Sequence, residues 1–264
     1  MNYHSRTPLR VRHPLRLRRI HVADVIPLSH GMQRIVFTGE DLRDFATAAA
    51  DDHVKLFFPQ PGTTTLTLPD LNADRPAPDV IARDYTPRRF DPDTRELTID
   101  FVLHETGPAT CWAARARPGQ TLGMGGPKGS HIVPDDYAHY LLIGDDSALP
   151  ALARRLAEMA PGTPTTVIVE TARANEDYPL HTCAQAIIHR CCRDRAAGES
   201  HELDRLLRRV ALPSTDTYAW IAGEIDTARR LRDYLVTDEA IPRAQIRAAG
   251  YWRLNAAGGG ARIN

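Results

Sequence analysis

The sequence predicts two domains in series: an N-terminal antiparallel six-stranded β-barrel and a C-terminal α/β domain built on a parallel sheet. Three observations predict this. Up to residue 134, short runs of alternating polar and apolar residues are separated by turn residues, the period of half-buried antiparallel strands. Beyond that point, continuous apolar runs alternate with segments whose apolar residues fall three and four apart, the signature of strands alternating with helices. Between them stands Pro134-Asp135-Asp136, a polar break at which the pattern changes. A chain of 264 residues has the length for two ordinary domains, and its 42% hydrophobic content suffices to bury their cores.

In order, residues 20–25 and 33–38 read as strands joined through Ser29-His30-Gly31, and 41–45 as a short turn or helix. Residues 53–58 form a third strand, ended by Pro59 and Pro61-Gly62. The Thr-, Pro- and Asp-rich stretch 63–79 reads as an exposed loop. Two strands within 80–88 and 95–104, and one at 120–124, complete a set of six that a small barrel would bury. Past the break, 139–143 is an apolar strand turning through Gly144-Asp145-Asp146-Ser147 into a helix with Leu149, Leu152, Leu156 and Met159 on one face. Strands at 165–170, 186–189, 218–222 and 246–252 then alternate with helices at 202–210 and 226–236. In such sheets ligands bind at the carboxyl ends of the strands.

Net charge is zero, with 33 basic and 33 acidic residues, so no overall field draws the chain to nucleic acid. Six arginines, from Arg6 to Arg19, precede the first acid, Asp24. Residues 1–16 read as a solvated, loosely ordered tail rather than a nucleic-acid or membrane arm. No apolar run approaches the roughly 18 residues of a membrane helix, and the expectation is a soluble cytoplasmic protein without stable membrane association. Cys111, Cys183, Cys191 and Cys192 form no C-x-x-C pair, so zinc and iron–sulfur sites lack their ligand spacing. Of the 33 cations only Lys55 and Lys128 are lysines.

The stretch 83–130 concentrates the chemistry. Arg83-Asp84-Tyr85-Thr86-Pro87-Arg88 mixes arginine, aromatic and hydroxyl groups on a strand. Gly107-Pro108-Ala109-Thr110, leading into Cys111-Trp112, reads as a helix start, where free amides and the helix dipole suit a phosphate. Together they could hold a flavin, ring against the aromatic strand and pyrophosphate between arginine and helix. The same residues also read as an arginine-rich barrel strand, a turn and a short helix.

The runs Arg83-x-Tyr85-Thr86-x-Arg88, His104-x-x-Gly107-Pro108-Ala109-Thr110-x-Trp112-Ala113 and Gly126-Pro127-Lys128-Gly129-Ser130 resemble the siderophore-interacting protein family. Its members are FAD-dependent ferric-siderophore reductases with a ferredoxin-reductase-like fold. The resemblance spans about residues 17–253, with Thr110 where serine is usual. It implies an FAD-binding barrel domain over 17–134, an NAD(P)H-binding α/β domain over 135–264, and electron flow from NADPH or NADH through FAD to a ferric siderophore. The cofactor-binding candidates are Arg83, Tyr85, Thr86, Arg88, His104, Gly107, Ala109, Thr110 and Trp112 in the first domain.

In the second domain the candidates are Gly144, Asp145 and Ser147 of a turn similar to the family's, Gly223 and Glu224 after the fourth strand, and Tyr251 and Trp252. Glu170-Thr171-Ala172-Arg173 ends a sheet strand where an acid would bond ribose hydroxyls and an arginine a 2′-phosphate. Arg173 points to NADPH. The resemblance implies cations at the flavin mouth for the siderophore, and Lys55, Lys128 and Arg253 are the candidates. After Arg253 the chain continues Leu254-Asn255-Ala256 where relatives carry arginine and glycine, and Ile187-Ile188 replaces a frequent tryptophan. No side chain is needed as acid, base or nucleophile, since the cofactors carry the chemistry. Alternatives are a flavin reductase fed by ferredoxin or serving another small acceptor, and a non-enzymatic siderophore-binding protein.

Overall fold

The computed structural model describes residues 6–63, 65–70, 80–104, 107–174, 177–213, 216–255 and the backbone of 261–262. Residues 71–79 of the expected loop and Gly258-Gly259-Gly260 lie outside this set. The chain divides into two compact units, Met1–Val133 and Pro134–Asn264.

The first unit carries strands β1 (Leu9–Arg12), β2 (Leu17–Pro27), β3 (Met32–Thr38), β4 (Val54–Phe58), β5 (Ile81–Tyr85), β6 (Arg89–Asp91) and β7 (Glu96–Val102). Helix α1 (Pro108–Ala113), β8 (Thr121–Gly125) and β9 (Gly129–Ile132) follow. Its main sheet is antiparallel and curled, ordered β5-β4-β8-β2-β3-β7-β6. Alternation works as expected: Ile20 and Val22 on β2, Ile35 and Phe37 on β3, Val54, Leu56 and Phe58 on β4, and Leu97, Ile99 and Phe101 on β7 point into one core. The α1 residues Ala109 and Ala113 close it.

Seven strands replace the expected six. Pro87, which cannot donate to a ladder, ends β5, and the chain restarts as the three-residue β6 against β7. So short a strand carries no period to read. Both ends of the order are edges. Leu9–Arg12, inside the segment expected to be a loose tail, pairs with β9 as a two-stranded ribbon.

The second unit comprises β10 (His139–Gly144), α2 (Leu149–Glu158), β11 (Pro164–Thr171), β12 (Gln185–Cys192), α3 (Glu202–Leu207), β13 (Thr217–Glu224), α4 (Ile225–Thr237), β14 (Ile246–Trp252) and β15 (Ala261–Arg262). Five strands are parallel, ordered β12-β11-β10-β13-β14, with β15 antiparallel at the edge. β10 is buried throughout, as its unbroken apolar run requires when both faces are covered. Helices α3 and α4 pack on one face through Leu203, Leu207, Leu231 and Leu235 against Leu141, Ile143, Ile168 and Ile221. Helix α2, which joins β10 to β11, buries Leu149, Leu152 and Leu156 outside that cluster. Strand order reverses between β10 and β13, the switch point at which open sheets of this kind bind ligands.

Candidate functional site

In the first unit, Tyr85 ends β5 with its ring 4.4 Å from Phe101, and Phe101 lies 6.2 Å from the indole of Trp112 on α1. Sheet curvature therefore brings β5 and α1 together around Phe58 and Phe101. Burial pushes the Tyr85 phenol well above its usual range, so it stays neutral. Arg83 shares the Tyr85 face of β5. Its Nη1 donates to Ala82 O at 2.8 Å, and it forms no ion pair among the described residues. Arg88, just beyond, uses its backbone N–H on Thr98 O at 2.9 Å. Its side-chain Nε is buried with no hydrogen-bond partner among the described residues.

A buried donor without a partner is uncommon and invites an acceptor. Two guanidiniums with free donors, flanking a partly exposed aromatic ring, fit a ligand that is flat at one end and a polyanion at the other. Ala109 and Thr110, in the first turn of α1 after Pro108, carry backbone amides that lack an acceptor within the helix. FAD meets that description.

Other residues expected at this site have structural work. Thr110 is buried, and its Oγ1 accepts from His104 N at 3.0 Å, fastening the end of β7 to α1. Trp112 stacks on Phe37 with 6.5 Å between centroids and belongs to the core. Thr86 and Ala109 are buried, and His104 is exposed. Gly107, at φ 120°, precedes α1, and a side chain there would press on His104 Cε1 at 3.3 Å.

Lys55 lies on β4 with Nζ 2.7 Å from Asp84 Oδ1. It is paired with Gly125 of β8, whose following turn carries Lys128, so both lysines sit at one end of the β4–β8 pair. Lys128 is exposed. Arg253, exposed just after β14, belongs to the second unit.

At the switch point of the second unit, Asp145 is buried and fully engaged. Its carboxylate accepts from Ser147 N at 2.9 Å, from Ser147 Oγ, from Glu224 N at 3.1 Å and from Trp252 Nε1 at 2.8 Å. Gly223 is glycine because a Cβ would lie 2.7 Å from Asp145 Oδ2. Glu224 caps α4, accepting from Asp226 N at 2.8 Å and Thr227 N at 2.9 Å. Gly144 leaves no room either, since a Cβ would meet Ala148 at 2.5 Å. Tyr251 packs edge-on against Trp220.

Apart from Glu170, the rest of this network carries no signal in the local sequence. Arg193 pairs with Asp146 and lies 3.6 Å from Glu170, whose Oε1 accepts from Ser200 Oγ at 2.6 Å. Burial raises the Glu170 carboxyl and pushes the Cys191 thiol up to about 12. No local pattern announces Arg193, which stands 47 positions from Asp146. The crevice here is lined by Asp145, Glu170, Glu224 and Arg193. Three carboxylates crowd this crevice around a single arginine, whose Nε has no hydrogen-bond partner. Arg173 is exposed beyond β11 and has no acidic partner among the described residues.

Among the described residues no helix is long and apolar enough to cross a membrane, and no cluster of three metal-ligating side chains occurs. A family model described as siderophore-interacting FAD-binding domain matches residues 21–131, and one described as siderophore-interacting protein matches 137–255. The chain is 37% identical over 259 residues to a protein of Escherichia coli (strain K12) named NADPH-dependent ferric-chelate reductase, covering 96% of this chain and 99% of that one. A ferric vibriobactin reductase of Vibrio cholerae serotype O1 is 29% identical over 232 residues, 86% of this chain and 85% of its own. The solved structure of a siderophore utilization protein from T. fusca superposes with a TM-score of 0.88 at 36% identity, covering 95% and 98% of the two chains. The ferredoxin reductase of carbazole 1,9a-dioxygenase, at 15% identity and a TM-score of 0.59 over 89% of this chain and 65% of its own, shares the fold alone.

Proposed function

The chain belongs to the siderophore-interacting protein family, and from that premise we propose that it is a cytoplasmic reductase of ferric siderophores. It takes electrons from NADPH through bound FAD and passes them to chelated iron(III), so that iron leaves as iron(II). The relative named for NADPH-dependent ferric-chelate reduction, similar over nearly the whole chain, supports the donor and the acceptor. The observation that carries the cofactor is the pair of guanidiniums flanking Tyr85, one with a buried, unpartnered Nε.

FAD, when bound, converts a two-electron donor into single-electron steps. The protein's own residues hold and orient. Arg83 and Arg88 bind the pyrophosphate, with the first-turn amides of α1 beside them. Tyr85, kept neutral by burial, presents its ring to the flavin. Thr110 and Gly107 set the β7–α1 turn that aims those amides. Residues 17–134 form the flavin domain and 135–264 the nucleotide domain, where Arg173 takes the 2′-phosphate. Lys55, Lys128 and Arg253 hold the ferric siderophore by charge.

Anaerobic stopped-flow mixing with NADPH, NADH and reduced ferredoxin, followed by a panel of iron(III) chelates with an iron(II) trap, tests the whole sequence. Bleaching by NADPH and trapped iron(II) are expected. Purified protein that is colourless, and that neither binds added FAD nor reduces iron, refutes the reading. Bleaching by reduced ferredoxin alone would assign the donor to a protein partner.

A further inference from the structure

We propose that Asp84 is a specificity-determining residue: by pairing with Lys55 it neutralises one of the chelate-facing charges and selects ferric chelates of low negative charge. This rests on the reading above that Lys55 meets the chelate. Lys55 and Asp84 stand directly opposite each other in the β4–β5 register. Opposed residues in an antiparallel pair carry their side chains on one face about 5 Å apart at Cβ, so the two charges meet without distorting the backbone. They close to 2.7 Å, yet 46% of the lysine side chain and 28% of the aspartate remain exposed. A ligand can reach both.

The other candidate cations differ. Neither Lys128 nor Arg253 has an acidic partner among the described residues. Asp84 also fills the open position of Arg83-x-Tyr85-Thr86-x-Arg88, between residues assigned to flavin. Alternation sets it on the opposite face from Arg83 and Tyr85. Because β5 is an edge strand, a bulky ligand at its rim reaches either face. A polyanionic chelate approaching Lys55 is repelled by the adjacent carboxylate in proportion to its own charge. A neutral chelate meets no such repulsion and still accepts a hydrogen bond from the ammonium, which has three donors. Discrimination arises from the repulsive element.

The test compares Asp84→Asn, Asp84→Glu, Lys55→Ala and the double variant Asp84→Asn/Lys55→Ala. The probes are a trianionic tris-catecholate iron(III) complex and a neutral tris-hydroxamate complex. In Asp84→Asn the ratio of KM for the trianion to KM for the neutral complex should fall roughly three- to ten-fold at low salt, with much less change at high salt. The fall should shrink in the Lys55→Ala background, and Asp84→Glu should keep the original ratio. Equilibrium binding of the redox-inert gallium(III) analogues should give the same ratios without turnover. An unchanged ratio in Asp84→Asn, alongside a raised trianion KM in Lys55→Ala, overturns this inference and leaves the reading of Lys55 standing. Lys55→Ala without effect on either complex overturns both.

Discussion

The two candidate sites differ in what their polar groups are already bound to. Around Tyr85 the arginines keep free donors: Arg83 bonds a neighbouring carbonyl and Arg88 leaves a buried Nε unmatched. At the switch point of the parallel sheet the carboxylates are engaged instead: Asp145 accepts four hydrogen bonds, Glu224 caps a helix, and Asp146 pairs with Arg193, whose Nε stays without a hydrogen bond 3.6 Å from Glu170. A site whose donors await a partner is built for a tightly held ligand. One whose carboxylates are already engaged with the protein's own donors is rigid, and gains less from a passing ligand. The difference suits a resident cofactor in the first unit and a transient nucleotide in the second.

Breaking the network around Asp145 should have the largest effect. Asp145→Ala strands four donors, three of them backbone or ring nitrogens, and should cost about 3 kcal/mol or more of stability. Urea unfolding followed by tryptophan fluorescence would report it, since Trp220 and Trp252 both lie in the second unit. Removing a group from the open site should instead spare the fold and release the ligand. Arg83→Ala should weaken FAD binding about ten- to hundred-fold, the value of one hydrogen bond to a charged group. A variant that stays fully flavinated after dialysis would remove Arg83 from the site.

At the rim of the second site, Arg173→Ala should reduce the preference for NADPH over NADH about ten-fold in equilibrium titrations. No change would refute a 2′-phosphate contact. The smallest effect sharpens the contrast from the other end of the sheet. His139 is buried at the start of β10, between Thr217 Oγ1 at 3.1 Å and Thr166 Oγ1 at 2.9 Å. Burial lowers its pKa, so the unfolded chain takes up the proton first. This contribution is complete above the unfolded value near 6.5 and is lost as pH falls below it. Replacing His139 with glutamine should flatten the fall in unfolding midpoint between pH 7 and pH 5.

The sequence by itself determined the two-unit order, most strands and the motif-bearing stretch, because those are written in short-range periods. Alternation on β3 and β7, the buried run of β10 and the helix at Leu149–Glu158 all depend on neighbours within a few residues. The nearness of Arg83, Tyr85 and Arg88 to one another was legible for the same reason, as one strand and its turn carry them. β6 was not, since three residues show no period, and neither was the ordering of Leu9–Arg12, which depends on β9 more than a hundred positions away. Only the tertiary structure decided which polar groups remain free. It shows Thr110 fastening a turn and Glu224 capping a helix, and it brings Arg193 and Asp84 to partners in other strands or loops. Hydrogen bonding and ion pairing are satisfied by whatever folding brings near, and that proximity is not encoded in local spacing.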